Sequence, residues 1–216
     1  MKKGAIFDLD GTLLDSMWIW DTIGEVYLRS LGIEPRENLA ETFKTFTLEK
    51  AAEYFRKHYG VTQTVAQIVD GVNGMVEKFY QDTVPLKKGV HEFLERFSEN
   101  DIKMCVATVT DRYLEEAALE RLEIRDYFSE IFTTAEVGCD KTATQIYRTA
   151  LAHLGTKKSE TVVFEDAYHA LMTAKNDGFP VAAVYDAHES RQSQMRSAAD
   201  YYITNFHDFL KVFEDT

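Results

Sequence analysis

Hydrophobic and polar positions along this chain fall into distinct textures. Gly4-Ala5-Ile6-Phe7 is a short apolar run that reads as a buried strand, and it stops at two acids one residue apart, Asp8 and Asp10, followed by Gly11-Thr12. From there to Pro85 the apolar residues recur at helical spacing. Asp15 or Ser16 can cap a first helix running to about Leu31, which ends near Gly32 and Pro35. Ile19, Trp20, Ile23, Val26, Tyr27 and Leu31 share one broad apolar arc of that helix; Trp18 falls with Thr22, Glu25 and Arg29 on the polar side. A second helix is predicted over about Leu48 to His58. A third runs from Thr64 to about Asp82, with Val65, Ile68, Val69, Val72, Val76, Phe79 and Tyr80 in register.

Beyond Gly89 helix and strand alternate. Val90, Phe93, Leu94 and Phe97 mark a helix, and Ile102 to Ala107 a strand ending at Thr108. Asp111 can cap a helix to about Leu122, and Ile131-Phe132 form a short strand. A helix from about Thr142 to Leu154 leads to the strand Thr161 to Phe164, which ends, like the first, in two acids, Glu165 and Asp166. A helix closing at Gly178, a strand over Val181 to Tyr185, a helix from Arg191 to Ala198, a strand at Tyr201 to Ile203 and a helix from Phe206 complete the pattern. Such alternation predicts an α/β fold: a Rossmann-like three-layer core with a mostly parallel sheet, built from residues 1–15 and 85–216, with residues 16–84 as an all-helical insertion.

Composition narrows the function classes. A chain of 216 residues with 45% hydrophobic and 12% aromatic content can bury a substantial core and is not disordered. A net charge of −12 argues against nucleic-acid and anionic-membrane partners, while leaving room for a small anionic substrate at a locally positive site. Two cysteines, Cys105 in an apolar run and Cys139 in a polar connection, do not make a disulfide framework and fit a cytoplasmic location. The apolar run after Met1-Lys2-Lys3 fails at Asp8, too short for a signal peptide, and no stretch approaches a membrane span.

Two acids beside a buried strand are costly unless a cation or a proton transfer compensates them; the other reading of these nine residues is a solvated turn. In an open parallel sheet the strand ends converge, which would bring Asp8, Asp10, Thr108, Glu165, Asp166 and Lys141, at a helix start, to one crevice. An oxygen-only carboxylate cluster favours Mg²⁺, and with Lys141 and a threonine hydroxyl nearby it would suit a phosphoryl group.

The ordered set Asp8-Leu9-Asp10-Gly11-Thr12, Thr108, Lys141 and Glu165-Asp166 resembles the haloacid dehalogenase-like hydrolase superfamily, and the helical insertion resembles its cap-bearing branch of phosphoglycolate phosphatases and β-phosphoglucomutases. The resemblance implies that Asp8 is the nucleophile and Asp10 the general acid and base. It implies that Asp8, Asp166 and the backbone carbonyl of Asp10 bind Mg²⁺, with Glu165 at the metal or just behind it, and that Thr108 and Lys141 hold the phosphoryl oxygens. The implied partner is a small phosphorylated metabolite, handled by a monomer or homodimer. Ala167 and Ala170 stand where the family carries Ser and Gly, Thr142 where it carries Pro. Mutases of the branch have a His where this chain has Trp20 and a cap Arg where it has Leu48, so hydrolysis is expected, with a mutase or a non-catalytic phosphoryl-binding protein as alternatives. Asp10 argues against dehalogenation; a phosphonatase would need a cap Lys, for which Lys44 and Lys50 are available but read as solvated. Candidate substrate contacts are Trp18 (alternatively a packing residue), Thr47 with its neighbour Thr45, Val109, and Arg112 (alternatively a solvated helix start). The six histidines show no metal-ligand spacing.

Overall fold

The apolar run at the start becomes β1 (Gly4–Phe7), the central strand of a six-stranded sheet in the order β3-β2-β1-β4-β5-β6. This computed structural model describes residues 2–43 and 46–213. The remaining strands are β2 (Lys103–Thr108), β3 (Ile131–Thr133), β4 (Thr161–Glu165), β5 (Val181–Val184) and β6 (Tyr201–Ile203), and every neighbouring pair is parallel. Parallel strands buried on both faces need continuous apolar runs, which is what these segments are.

Side chains alternate across the sheet. Ile6, aligned with Cys105 and Val163, packs on one face against Ile146, Tyr147 and Ala150 of α8 (Gln145–Leu154) and Leu171 and Ala174 of α9 (Tyr168–Asn176). Phe7 faces the other way, stacked on Phe164 at 4.4 Å and meeting Phe93 of α5 (Val90–Glu99) and Phe128 edge-on. Phe206 of α11 (Phe206–Phe213) closes that layer against Phe93. Each buried ring contributes about 1.5–3 kcal/mol relative to exposure. Because Phe7 pairs in register with both Val106 and Phe164, the residues just past β1, β2 and β4 emerge at one edge of the sheet. The strand order reverses direction at β1, the position where open α/β sheets form a crevice.

The chain separates into two compact units, Met1–Ser16 with Val84–Thr216, and Met17–Thr83. The second is helical: α1 (Trp18–Ser30), α2 (Leu39–Phe43), α3 (Leu48–Tyr59) and α4 (Val65–Asp82). Thr64 begins α4 with a reciprocal capping box to Gln67. The core of this unit holds Ile19, Ile23, Tyr27 and Leu28 from α1 with Ala52, Phe55, Ile68, Val72 and Val76. The buried stripe of α1 is narrower than the arc read from the sequence: Trp20 and Val26 are both 43% exposed. The helix also starts later than expected, with Met17 rather than Asp15 or Ser16 at its N-cap and no side-chain cap. Ser16 is engaged elsewhere, as described below. Among the described residues no helix is long and apolar enough to cross a membrane.

Candidate active site

The site lies wholly within the α/β unit, and its framework is the loop that follows β1. Asp8 keeps its backbone in the sheet, donating its N–H to the Phe164 carbonyl at 3.0 Å. The ladder ends there. The N–H groups of Thr12, Leu13 and Leu14 all turn back to the Leu9 carbonyl, and Gly11 takes a left-handed φ of 77° that a side chain would resist. This coil sends the two acids to different surroundings.

Asp8 enters an ionic cluster. Its Oδ1 accepts from Lys141 Nζ at 2.5 Å, and the same ammonium donates to Glu165 Oε1 at 2.8 Å. Lys141, Asp8 and Glu165 have side chains only 5%, 6% and 1% exposed. The Tyr147 hydroxyl, carried on α8, donates to the same Glu165 oxygen at 2.7 Å. Thr12 Oγ1 lies 3.1 Å from Asp8 Oδ2 and 3.3 Å from Asp166 Oδ1, and its one proton serves both as a shared donor. Oxygens of Asp8, Glu165 and Asp166 lie within 4.8 Å of one another, and all three residues are buried. Burial opposes the charge on Lys141, but Asp8 and then Glu165 outweigh it and hold the ammonium well above its ordinary pKa. Burial pushes the Glu165 carboxyl up to about 7 even with Lys141 drawing it down, and burial, then Asp8, then Glu165, raise Asp166 well above the carboxylate range. Three buried carboxylates against one ammonium leave an excess of negative charge that a hard divalent cation would neutralise, so the donor set fits such an ion.

Asp10 is bound by hydroxyls. Ser16 Oγ donates to its Oδ1 and Thr110 Oγ1 to its Oδ2, both at 2.6 Å. Thr108, at the end of β2, is fully buried; its hydroxyl donates to Glu115 Oε1 at 3.1 Å and accepts the Thr110 N–H at 3.2 Å. A hydroxyl has one proton, so in this arrangement Thr108 does not present it to the carboxylate cluster. Glu115, on α6 (Arg112–Arg121), is itself fully buried. Burial first, then the nearby Asp10, push its carboxyl well above the usual range.

The structure therefore gathers Asp8, Lys141, Glu165 and Asp166, with Asp10 and Thr108 in the adjoining hydroxyl network. It does not bring Arg112 to them. That guanidinium lies against Glu136 at 2.7 Å and Glu130 at 3.1 Å and donates to the Ile131 carbonyl. Val109 is 57% exposed beside Thr108. Trp18 and Thr47 belong to the helical unit: the Trp18 ring meets Phe79 edge-on at 5.0 Å, and the Thr47 hydroxyl caps α3 by accepting the Lys50 N–H. Lys50 Nζ sits over the Phe46 ring, 4.8 Å from its centre, and Lys44 and Thr45 lie outside the described residues. Sequence reasoning missed Thr12, Ser16, Thr110, Glu115 and Tyr147. Glu115 had a legible signal, since it is an acid on the same helical stripe as Leu114, Ala118 and Leu119.

A catalytic-looking acid pair at the end of the central strand, with a lysine and a second acid pair converging on it, defines a phosphoryl-transfer class of α/β enzyme, and comparisons with known proteins agree. Residues 5–184 match the family described as haloacid dehalogenase-like hydrolase. The chain belongs to that family and is an enzyme of its hydrolase type. It is 24% identical over 173 residues to hexitol phosphatase B of Escherichia coli (strain K12), covering 79% of this chain and 78% of that one. It is 24% identical over 217 residues to the phosphoglycolate phosphatase of Photorhabdus laumondii, covering 96% and 91%. In fold it is similar to a β-phosphoglucomutase-like protein of Thermotoga maritima, with a TM-score of 0.87, 21% identity and 99% of each chain covered. CbbY of Rhodobacter sphaeroides in complex with phosphate gives a TM-score of 0.71 at 22% identity, covering 95% of each chain.

Proposed function

We propose that this protein is a Mg²⁺-dependent phosphatase that hydrolyses a small phosphomonoester through an aspartyl-phosphate on Asp8. The observation that carries the reading is the buried cluster of Asp8, Lys141, Glu165 and Asp166 next to an Asp10 held by two hydroxyls. Asp8 attacks phosphorus while the bond to the leaving oxygen breaks, and Asp10, protonated, gives its proton to that oxygen. Asp10 then takes a proton from water as the water attacks the aspartyl-phosphate, which releases phosphate and returns Asp8 as a carboxylate. Ser16 and Thr110 fix the Asp10 carboxyl through both steps. Lys141 offsets charge on Asp8 and on the phosphoryl oxygens. Asp8, Asp166 and the Asp10 backbone would hold Mg²⁺, with Glu165 behind them, and the bound ion would supply further positive charge to the transferring group.

The helical unit, residues 17–83, acts in this reading as the cap that selects the substrate, a small phosphorylated metabolite. The names of the relatives support a phosphorylated carbohydrate or a similar small organic phosphate. The enzyme works in the cytoplasm, as a monomer or homodimer. The structural likeness to a β-phosphoglucomutase-like protein keeps a mutase as the second reading, although Trp20 and Leu48 replace the residues that mutases use. Purified protein incubated with Mg²⁺ and a panel of sugar phosphates separates them: free phosphate supports the phosphatase, and isomerised sugar phosphate formed with a bisphosphate primer supports the mutase.

A further inference from the structure

Glu115 is a buried acid that the mechanism above leaves without a role. Its side chain is fully buried on α6, and its Oε2 receives no hydrogen bond from any donor among the described residues. An apolar side chain of similar size would fill the stripe formed by Leu114, Ala118 and Leu119 without stranding an oxygen, so packing alone does not account for an acid here. The carboxyl lies beside that of Asp10 and, through Oε1, accepts the Thr108 proton.

That contact reaches Asp10 in two further steps. With its proton directed to Glu115, the Thr108 oxygen turns its lone pairs to the loop and accepts the Thr110 N–H at 3.2 Å. Thr110 in turn donates its hydroxyl to Asp10 Oδ2 at 2.6 Å. Ser16 holds the other Asp10 oxygen from the β1 side, while the Thr110 grip comes from the loop after β2. We propose that Glu115 is a positioning residue for the phosphatase reaction, fixing the Thr108 hydroxyl so that the Thr108–Asp111 loop delivers the Thr110 hydroxyl to Asp10. The proposal rests on the phosphatase reading above for its kinetic consequence and on geometry alone for the brace itself.

Two measurements test it, one of them independent of turnover. Glu115→Leu removes the acceptor, and Glu115→Met, closer in length, repeats the test if Leu disturbs the packing. Glu115→Gln keeps an acceptor oxygen for Thr108. With a phosphoester that the wild type hydrolyses, E115L is expected to lower kcat about tenfold with KM within about twofold, because Asp10 acts in proton transfer rather than in binding. E115Q is expected to stay within about threefold of wild type. In a Thr110→Val background the same E115L change is expected to cost little more, since both act on one contact. The melting temperature of E115L is expected to hold or rise, so that activity falls while stability does not, a combination that a purely structural residue would not give. Hydrogen exchange at the Thr110 amide, read by NMR in each variant, is expected to quicken at least tenfold in E115L and not in E115Q. Unchanged Thr110 exchange, or loss of activity that tracks loss of stability, would overturn the proposal. A wild type that hydrolyses nothing removes the phosphatase reading, and the exchange rates then decide the brace alone.

Discussion

Replacing Lys141 by Met removes the ammonium that contacts Asp8 at 2.5 Å and Glu165 at 2.8 Å, while nearly keeping the side-chain volume. All three groups are buried, so solvent does little to screen the loss. Removing one partner of a buried ion pair typically costs about 3–5 kcal/mol, because the partner is left charged and desolvated. Here two carboxylates are left, and protonation is the relief open to them. The folded-state Glu165 carboxyl already sits at about 7 against an ordinary 4.5, so its charge weakens the metal-free fold increasingly as pH rises from 4.5 through 7. Without Lys141 the carboxyl moves further up, and each unit of pH below that point lowers the burden by about 1.4 kcal/mol. Below about 7 the wild-type carboxyl takes up its proton as well and the difference levels off, so urea denaturation of metal-free K141M should show a deficit of about 3–5 kcal/mol at pH 9 that narrows by about 1–2 kcal/mol by pH 7. A deficit that stays constant across that range would mean that Lys141 contributes packing rather than charge. No deficit at pH 9 would mean that the cluster is hydrated rather than buried.

Other expectations follow from single contacts. Asp177 is held at about 2 by hydrogen bonds first from Arg148 and then from Lys158, against burial. Its folded pKa is depressed, so the stabilisation is present above 3.8 and lost as pH falls toward 2. With partial solvent screening, Asp177→Asn should cost about 1 kcal/mol at pH 7 and nothing near pH 2, measured by denaturation at both. Gly89 has a φ of 83°, and a Cβ there would lie 2.3 Å from the His207 backbone nitrogen. Gly89→Ala should cost more than about 2 kcal/mol by thermal melting, against about 1 kcal/mol for Gly155→Ala, which is left-handed but meets nothing. Ser16→Ala removes one of the two hydroxyl grips on Asp10 and should lower kcat about tenfold with little change in KM in steady-state phosphate release.

The parallel sheet was legible because its strands are unbroken apolar runs with period-free burial, and both acid pairs stand where those runs stop. Tyr201 to Ile203 forms a strand just where the pattern put it. The start of α1 was not legible. Asp15 and Ser16 look like caps in sequence, but Ser16 lies six residues from Asp10 and bonds to it, so a tertiary contact displaced the local one. Trp20 and Val26 were placed on the apolar arc by spacing alone, but spacing does not show how wide a stripe the packing covers, and both stay 43% exposed. Short α2 and the four-residue helix Thr134–Val137 fall below the length at which periodicity carries information. The acids could be read one at a time from strand ends; Lys141 was placed at a helix start, but α8 begins only at Gln145 and Lys141 lies in the turn before it. The hydroxyl network of Thr12, Ser16, Thr108 and Thr110 could not, because threonine and serine in loops carry no pattern that distinguishes a ligand from a turn residue.

The proposed mechanism turns on Asp8 as the group that attacks phosphorus. Phosphate release across a panel of small phosphomonoesters, with Mg²⁺ and with EDTA, for wild type and Asp8→Asn, tests it most directly. Wild type with Mg²⁺ is expected to turn over at least one phosphoester, and with EDTA none, while D8N, whose fold is checked by its melting temperature, is expected to lose at least about a thousandfold. A folded D8N that hydrolyses the same substrate at the wild-type rate would contradict it.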